Sequence, residues 1–306
     1  MKNNKGFISV TVIYAFFLVF LTLMIYIVTN MTVNRNLLNN MKKAVKNDLN
    51  DASFARYLIN RYDEDNINFI KLNSNDYTYG IDDNSYRFTG SDPDNYVKFD
   101  ENSEKVYRII GIFKEKVKLI EETNLDTNWV INFGIGSNDY DGSYIYRELN
   151  TEADGYLASI DNISKFIEFE DWYVGGIDEE IIAKSGKEIA EAEVGKNKNT
   201  GVIVNDRIGL PYISDYIYAQ DSSNKATYGK NVTNTNNWMF VGDSWFITRN
   251  TSVSKTEVYY LNSNGNVSSI ASDATTIIAR PTFYLKNNIK LLSGEGTYLD
   301  PYIIGE

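Results

Sequence analysis

The stretch Phe7–Val28, FISVTVIYAFFLVFLTLMIYIV, contains no charged side chain. Because an α-helix rises ~1.5 Å per residue, a helix of this length measures about 33 Å and matches the ~30 Å hydrocarbon core of a bilayer. A removable secretory signal has a shorter apolar region and small residues at a cleavage site. Neither is visible in residues 26–35, YIVTNMTVNR. The sequence therefore predicts a retained membrane-spanning helix.

A short basic segment, residues 1–6, precedes this helix, and the junction reads Lys5-Gly6-Phe7. The junction resembles the signal of type IV prepilins, in which a prepilin peptidase cuts after the glycine and the new N-terminal phenylalanine begins the retained helix. Thr11 departs from the family pattern, since most members carry glutamate at the fifth mature position, although some minor pilins and pseudopilins lack it. The resemblance implies cleavage between Gly6 and Phe7. An uncleaved membrane anchor is the alternative.

Two signals predict opposite orientations for the span. Lys2 and Lys5 precede it, whereas four basic residues follow it between Arg35 and Lys46. The positive-inside rule would place the large C-terminal domain in the cytoplasm. The prepilin resemblance instead implies a cytoplasmic N-terminus and an extracellular head at the cell surface. We expect the second orientation, because the first basic residue lies several residues beyond the span.

The residues after the span favour one long helix. No glycine occurs between Gly6 and Gly80, and apolar side chains recur about every four residues, on one helix face. These side chains are Val33, Leu37, Met41, Val45, Leu49 and Ala52. We predict an unbroken helix to about residue 60, with residues 7–28 in the membrane and residues 29–60 as an amphipathic continuation. In pilin-like proteins such a helix packs on the head and on other pilin-like subunits; a helical stalk and a coiled coil are the alternatives.

Composition indicates a globular domain and excludes several chemistries. The 306 residues are 43% hydrophobic and include 23 Tyr and 15 Phe, which favour strands and aromatic packing. Cysteine and histidine are both absent, so disulfides, thiolate nucleophiles, imidazole bases and the usual zinc or haem ligands are excluded. Catalysis would need paired carboxylates, and the sequence singles out no pair. We expect that the protein is not an enzyme.

Charge is divided unevenly along the chain. Residues 1–60 carry seven Lys and Arg side chains against Asp48 and Asp51, a net charge of +5. The total of −11 therefore leaves −16 on residues 61–306. Because phosphate binding needs a basic surface, we expect no nucleic-acid partner.

From Asn66 onward, short aromatic and β-branched runs alternate with Asn, Asp, Ser and Gly, which predicts a strand-rich α+β head over residues 61–306. A hairpin is predicted across Lys114-Glu115-Lys116. The predicted strands are Val106–Phe113, Val117–Glu121, Trp129–Phe133, Val202–Val204, Glu257–Leu261 and Ile277–Leu285. The predicted helices are Tyr144–Ile167, broken near Gly155, and Asp178–Glu193.

A series of blocks in the head resembles an uncharacterised domain of Firmicutes surface proteins. The blocks are Tyr86-Arg87-Phe88-Thr89-Gly90, Asn95-Tyr96-Val97, Tyr107-Arg108-Ile109-Ile110-Gly111, Trp172-Tyr173-Val174-Gly175-Gly176, Gly209-Leu210-Pro211-Tyr212-Ile213-Ser214-Asp215-Tyr216, Trp245-Phe246-Ile247-Thr248-Arg249-Asn250, Arg280-Pro281-Thr282-Phe283-Tyr284-Leu285, Ser293-Gly294-Glu295-Gly296-Thr297 and Asp300-Pro301-Tyr302. Members of that family frequently follow prepilin-like anchors. The resemblance implies a fold similar to the C-type-lectin-like fold of formylglycine-generating enzymes, and it supplies no established activity to carry over.

Several residues of these blocks have the chemistry of a ligand cleft. Sugar sites combine aromatic platforms with bidentate polar groups, and three arginines each have an aromatic residue within three positions in the chain. The candidate cleft residues are Arg108, Tyr212, Ser214, Asp215, Trp245, Arg249 and Arg280. The alternative is that the arginines are buried and pinned by acids or carbonyls in the core, and that Ser214-Asp215 forms a turn after Pro211.

The segment Ser137–Glu148, SNDYDGSYIYRE, partly matches a calcium-binding loop. It supplies Asp139, Asp141 and Glu148 at loop positions three, five and twelve, with Ser137 where aspartate is expected at position one. A turn through Asp141-Gly142, with Ser143 capping the next helix, explains the same residues. Calcium is the one cofactor that the sequence suggests.

Together these features predict a membrane-anchored, pilin-like surface protein, a minor pilin or pseudopilin, whose head performs recognition or adhesion. A carbohydrate or a neighbouring protein is the expected ligand. Two alternatives are a solitary anchored adhesin or sensor outside any filament, and a ligand-free scaffold of a secretion apparatus.

Overall fold

The chain consists of two compact units, Met1–Asp51 and Ala52–Glu306. The first is an N-terminal apolar helix, and the second is a strand-rich α+β region, here called the head. Both agree with the predicted fold class, whereas the C-type-lectin-like fold stays a prediction. The computed structural model describes residues 5–64, 69–72, 85–122, 132–160, 163–183, 186–194, 202–220, 237–252 and 256–306.

Helix α1 spans Lys5–Asp51, 47 residues without interruption. Its segment Val12–Arg35 is long and apolar enough to cross a membrane, and its apolar side chains are exposed. The hydroxyls within this segment bond to the helix itself: Thr22 donates to the Leu18 carbonyl at 2.9 Å and Thr32 to the Val28 carbonyl at 2.8 Å. Polar groups satisfied in this way suit a lipid environment, where water is absent.

The prediction of one unbroken helix to residue 60 is wrong. Helix α1 ends at Asp51, and a second helix, α2, spans Phe54–Glu64. Phe54 and Leu58 are buried in the core of the head, and the Phe54 N–H donates to the Ile289 carbonyl at 2.6 Å. The apolar spacing is the same in α1 and α2. The spacing alone therefore could not show that the apolar face of α2 packs in the head and not on α1's continuation. The head therefore begins directly after α1, not at residue 61.

The remaining elements all belong to the head. The strands are β1 Phe69–Leu72, β2 Ser85–Phe88, β3 Tyr96–Lys98, β4 Tyr107–Phe113, β5 Lys116–Glu121, β6 Glu170–Tyr173, β7 Ile203–Asp206, β8 Ser244–Arg249, β9 Glu257–Leu261, β10 Val267–Ala271, β11 Thr282–Tyr284, β12 Lys290–Ser293 and β13 Tyr302–Gly305. The helices are α3 Tyr144–Asn150, α4 Ile163–Phe166, α5 Gly186–Glu193 and α6 Ile213–Tyr218, with 3-10 turns at Tyr156–Ser159 and Glu179–Ala183.

An eight-stranded sheet forms the centre of the head in the order β1-β2-β4-β3-β13-β12, with β5 joining β4 to β11. The β13–β3 pair is parallel, and the other pairs of this sheet are antiparallel. Strands β10-β9-β8 form a second sheet, and β6-β7 a third. All of β4 and the middle of β5 are buried, which makes this hairpin the core of the head.

The predicted hairpin is confirmed, and its turn consists of Lys114 and Glu115, with φ of 48° and 64°. The strand Glu257–Leu261 also has its predicted bounds, while Ile277–Leu285 narrows to β11 and Val202–Val204 shifts to β7. The predicted strand Trp129–Phe133 lies mostly outside the described residues.

The first predicted helix of the head is interrupted near Gly155, as expected: α3 ends at Asn150, and a 3-10 turn and the short α4 follow the glycine. A Cβ at Gly155 would lie 2.6 Å from the Glu148 carbonyl oxygen, so only glycine permits this close approach. The second predicted helix is shorter than expected and consists of a 3-10 turn and α5.

Candidate functional site

The seven predicted cleft residues do not line one cleft. Six of them are buried in the core, and Arg249 is partly buried. Trp245, for example, packs between Phe133 and Tyr260, with ring centroids 5.8 and 6.3 Å away. The alternative that the sequence left open, packing in the core, describes these positions. The buried six are Arg108, Tyr212, Ser214, Asp215, Trp245 and Arg280.

Arg108 holds the loop that precedes β3. Its Nε donates to Asn95 Oδ1 at 2.7 Å, and its Nη2 donates to Asp92 Oδ1 at 3.0 Å and to the Pro93 carbonyl at 3.2 Å. The guanidinium lies 4.1 Å from the Tyr96 ring centre. The guanidinium that resembles part of a ligand clamp in the sequence therefore binds two side chains and one carbonyl of the chain's own loop.

Arg280 is pinned in the same manner. Its Nη1 donates to the Met239 carbonyl at 2.8 Å and its Nη2 to the Glu121 carbonyl at 3.2 Å. Burial lowers the pKa of Arg280 to about 10, although the negative charge of Glu122 raises it in part. This arginine joins three segments of the head.

Asp139, a predicted calcium ligand, forms an ion pair with Arg249, whose Nε donates to the Gly175 carbonyl at 2.9 Å. The turn that the sequence offered as the alternative is present. Gly142 has φ of 69°, and Ser143 Oγ accepts from the Tyr146 N–H at 3.1 Å to cap α3.

Asp141 is exposed and Glu148 half-buried. Among the described residues no group of three or more acidic side chains is arranged to hold a metal ion. Calcium binding stays a prediction, and the engagement of Asp139 by Arg249 argues against it.

A cluster of buried charges lies beneath the Tyr212–Asp215 segment, and we call it the ion cluster; its members are Arg87, Lys118, Glu193 and Asp215. Asp215 Oδ1 accepts from Arg87 Nη1 at 2.7 Å, and Asp215 Oδ2 accepts from Lys118 Nζ at 2.6 Å. Oδ2 also accepts from the Tyr212 N–H at 3.0 Å. Burial opposes ionisation of Asp215, but Lys118 and Arg87 outweigh it and hold the pKa of the carboxyl below its usual value.

Glu193 completes the ion cluster. Its two oxygens accept from the Ile213 N–H at 2.9 Å and the Ser214 N–H at 3.0 Å, and Oε1 also accepts from the Thr248 hydroxyl. Burial raises the pKa of Glu193. The two cations and two acids of the ion cluster balance each other.

Of the ion cluster, only Asp215 was a candidate site residue from the sequence. Two of the other three members could have been recognised from their sequence context. Arg87 and Lys118 stand inside apolar strand runs, SYRF and KVKLIE, where both neighbours are buried. A cation in such a run indicates a buried ion pair. Glu193 closes an amphipathic helix and leaves no such signal.

A cleft of about 330 Å³ opens directly above the ion cluster, and we call it the tyrosine cleft. Its lining residues are Phe113, Lys114, Lys116, Glu170, Asp171, Tyr173, Val194, Tyr212 and Tyr284. The buried rings of Tyr212 and Tyr284 form its floor, and their centres lie 4.5 and 5.5 Å from Lys118 Nζ. Tyr212 is the predicted cleft residue that lines this cavity.

The rim of the tyrosine cleft is charged. Lys116 Nζ lies 2.7 Å from Glu170 and 3.1 Å from Glu168, and Asp171 is exposed. Next to the rim, Phe169, which precedes β6, and Ile203 of β7 are exposed. The cleft therefore offers ring faces beside carboxylates and the two ammonium groups of Lys114 and Lys116, a combination that suits sugars or a polar peptide.

No protein-family model, curated protein or solved structure matches this chain. The residues themselves therefore carry the functional argument.

Proposed function

We propose that this protein is a membrane-anchored, pilin-like surface protein, a minor pilin or pseudopilin, that presents a recognition head. One observation carries the proposal: a 47-residue helix with a membrane-length apolar segment leads directly into a separate compact unit. An exposed apolar helix needs a nonpolar environment, which a bilayer or the core of a filament supplies. Other pilin-like subunits and the membrane are its partners.

In this proposal a prepilin peptidase removes residues 1–6 on the cytoplasmic side, and the head is outside the cell. Helix α1 already includes Phe7, so the mature chain would begin with the retained helix, as the prepilin resemblance implies. The net charge of −16 on residues 61–306 supports a soluble, exported head.

The tyrosine cleft is the proposed recognition site for a carbohydrate or a protein segment. Ring faces stack on the apolar faces of sugars, and carboxylates accept hydrogen bonds from sugar hydroxyls. Tyr173, Glu170 and Asp171 are the accessible groups for this contact. No catalytic step is part of the proposal.

A solitary anchored adhesin or sensor is the second candidate, and one observation favours it. Thr11 stands where most prepilins carry glutamate. This candidate keeps residues 1–6 and forms no filament.

The mature N-terminus distinguishes the two candidates. Full-length protein from cells that contain a prepilin peptidase is expected to begin at Phe7 by mass spectrometry and to stay in membranes washed with carbonate. Gly6→Leu is expected to keep residues 1–6, whereas Asn3→Leu, the matched control, is expected to be cleaved like the wild type. Wild-type protein that begins at Met1 or Lys2 supports the solitary candidate, and protein released by carbonate excludes both.

Glycan arrays probed with the full chain in detergent test the recognition site. Wild-type protein is expected to bind, and Tyr173→Ala with Glu170→Gln to lose binding. Tyr144→Ala changes another exposed tyrosine, on α3, and is expected to bind as the wild type does. A wild-type array without signal favours a ligand-free scaffold.

A further inference from the structure

Lys118 and Asp215 meet in the core although 97 positions separate them in the chain. Lys118 lies in the middle of β5, and Asp215 in the first turn of α6. Their side chains are both 0% exposed, and Nζ lies 2.6 Å from Oδ2. We propose that these two side chains become joined by an intramolecular isopeptide bond, which makes the pair a self-modification site.

The surroundings of Lys118 favour a nucleophilic amine. Four aromatic rings, of Phe113, Trp172, Tyr212 and Tyr284, have their centres 4.5 to 5.6 Å from Nζ. Burial among them lowers the pKa of Lys118, against the opposing effect of Asp215. Lys118 and Arg87 keep Asp215 mainly ionised, so the neutral pair is the minor form. It arises when Nζ passes a proton to Oδ2, 2.6 Å away, and burial favours it because a neutral pair costs less to bury than two ions. The deprotonated Nζ then has a free electron pair.

The surroundings of Asp215 favour attack at its carbon atom. Oδ1 accepts from Arg87 Nη1 at 2.7 Å, so a fixed positive charge lies where negative charge develops when an amine adds to the carbonyl. Oδ2 faces Lys118 and also accepts from the Tyr212 N–H. The two carboxyl oxygens thus have different roles, Oδ1 as the oxygen that stays and Oδ2 as the oxygen that leaves.

The reaction is a condensation that needs no other reactant. Nζ of Lys118 forms a bond to Cγ of Asp215, and the bond between Cγ and Oδ2 breaks. Oδ2 leaves as water, with the proton it received from the ammonium and a second proton from Nζ, which keeps one hydrogen. Oδ1 becomes the amide oxygen and still accepts from Arg87. Since one cation and one anion disappear together, Arg87 and Glu193 still balance each other.

The contact between the two groups is what raises the rate of the reaction most, because a group held beside its partner reacts as if that partner were at very high concentration. The bond would close a loop of the head between its central hairpin and α6. The chain has no cysteine, so a disulfide cannot provide such a cross-link. A covalent tie of this kind restricts the unfolded chain in the way a disulfide does.

Intact mass spectrometry of the full chain tests the proposal. Wild-type protein is expected to be lighter than its sequence by one water molecule, and its digest to contain a branched peptide that links Lys118 to Asp215. Lys118→Arg and Asp215→Ala are expected to have the full sequence mass. Lys105→Arg, the matched control at a partly buried, ion-paired lysine just before β4, is expected to keep the loss of water.

The wild-type measurement stands by itself if a variant does not fold. Wild-type protein at its full sequence mass overturns the proposal. A loss of water that persists in Lys118→Arg, or that hydroxylamine reverses, also overturns it, because a succinimide at Asp141-Gly142 would then be its source.

Discussion

Arg108 illustrates why a buried cation resembles a binding residue in a sequence. Its guanidinium lies over the Tyr96 ring and holds three oxygens of residues 92–95. A ligand clamp and a structural clamp use the same planar fork and the same aromatic neighbour. Burial distinguishes a structural clamp from a ligand clamp. Burial is a property of the folded chain, so the sequence pattern alone could not separate the two for Arg108.

We expect Arg108→Lys to lower the free energy of unfolding by about 2 kcal/mol although the charge is kept, because lysine has no planar fork to hold the loop of residues 92–95. Urea unfolding of the full chain in detergent measures the loss. Arg147→Lys, at an exposed position of α3, is the control and is expected to stay within about 0.5 kcal/mol of wild type. Equal losses in both variants would contradict the role of the fork.

Lys116 makes a pH-dependent contribution at the rim of the tyrosine cleft. Burial lowers the pKa of Lys116, but Glu170 and Glu168 outweigh it and raise the pKa above its ordinary value. A cation with a raised pKa in the folded state stabilises the fold fully below its unfolded pKa. That contribution is lost as the pH rises through the folded pKa.

Lys116→Met is therefore expected to lower the free energy of unfolding by about 0.5 kcal/mol at neutral pH, a small effect because the side chain is partly exposed. Wild type and variant should converge as the pH rises above the ordinary range of lysine. Thermal unfolding between neutral and alkaline pH measures the difference. Lys98→Met, a half-buried lysine on β3, is the control, and convergence of the same size there would contradict the prediction.

The turn of the β4–β5 hairpin has a strained backbone, because its two residues are not the ones that its conformation favours. Lys114 and Glu115 both have positive φ, and a two-residue turn of this kind favours Asn followed by Gly. Side chains with a Cβ are disfavoured in this conformation by about 1 kcal/mol each. The turn lies at the edge of the tyrosine cleft, which includes Lys114 in its lining.

Replacing the turn by Lys114→Asn with Glu115→Gly is expected to raise the free energy of unfolding by about 1–2 kcal/mol. Chemical unfolding measures the gain. Glu101→Gly, in an exposed turn that does not have positive φ, is expected to lower stability by a few tenths of a kcal/mol instead. A gain in the control, or none in the turn variant, would contradict the explanation by backbone strain.

The whole molecule divides between an apolar helix and an acidic head, and the division falls at Asp51. Helix α2 belongs to the head, because Phe54, Ala55 and Leu58 are buried in its core. Under the proposed function, anchoring and recognition would reside in separate units of the chain.

A chain that begins at Ala52 is expected to keep the head's cooperative unfolding and to stay soluble without detergent. A chain that begins at Asp65 should lose on the order of 5 kcal/mol of stability, since it lacks the buried side chains of α2. Circular dichroism with thermal unfolding compares the two. Similar unfolding midpoints would show that α2 is not part of the head.

Local patterns in the sequence suffice to predict the membrane-length apolar helix, the α+β class and the β4–β5 hairpin, and they offer the Ser143 cap on α3 as one of two alternatives. Each follows from spacing within a few residues, which acts through local backbone geometry. Contacts between distant segments establish that α2 belongs to the head, that six candidate cleft residues lie in the core, and that Arg87, Lys118, Glu193 and Asp215 form one cluster. The reason is physical: burial and ion pairing depend on which distant segments meet, and a local pattern carries no information about a contact across 97 positions.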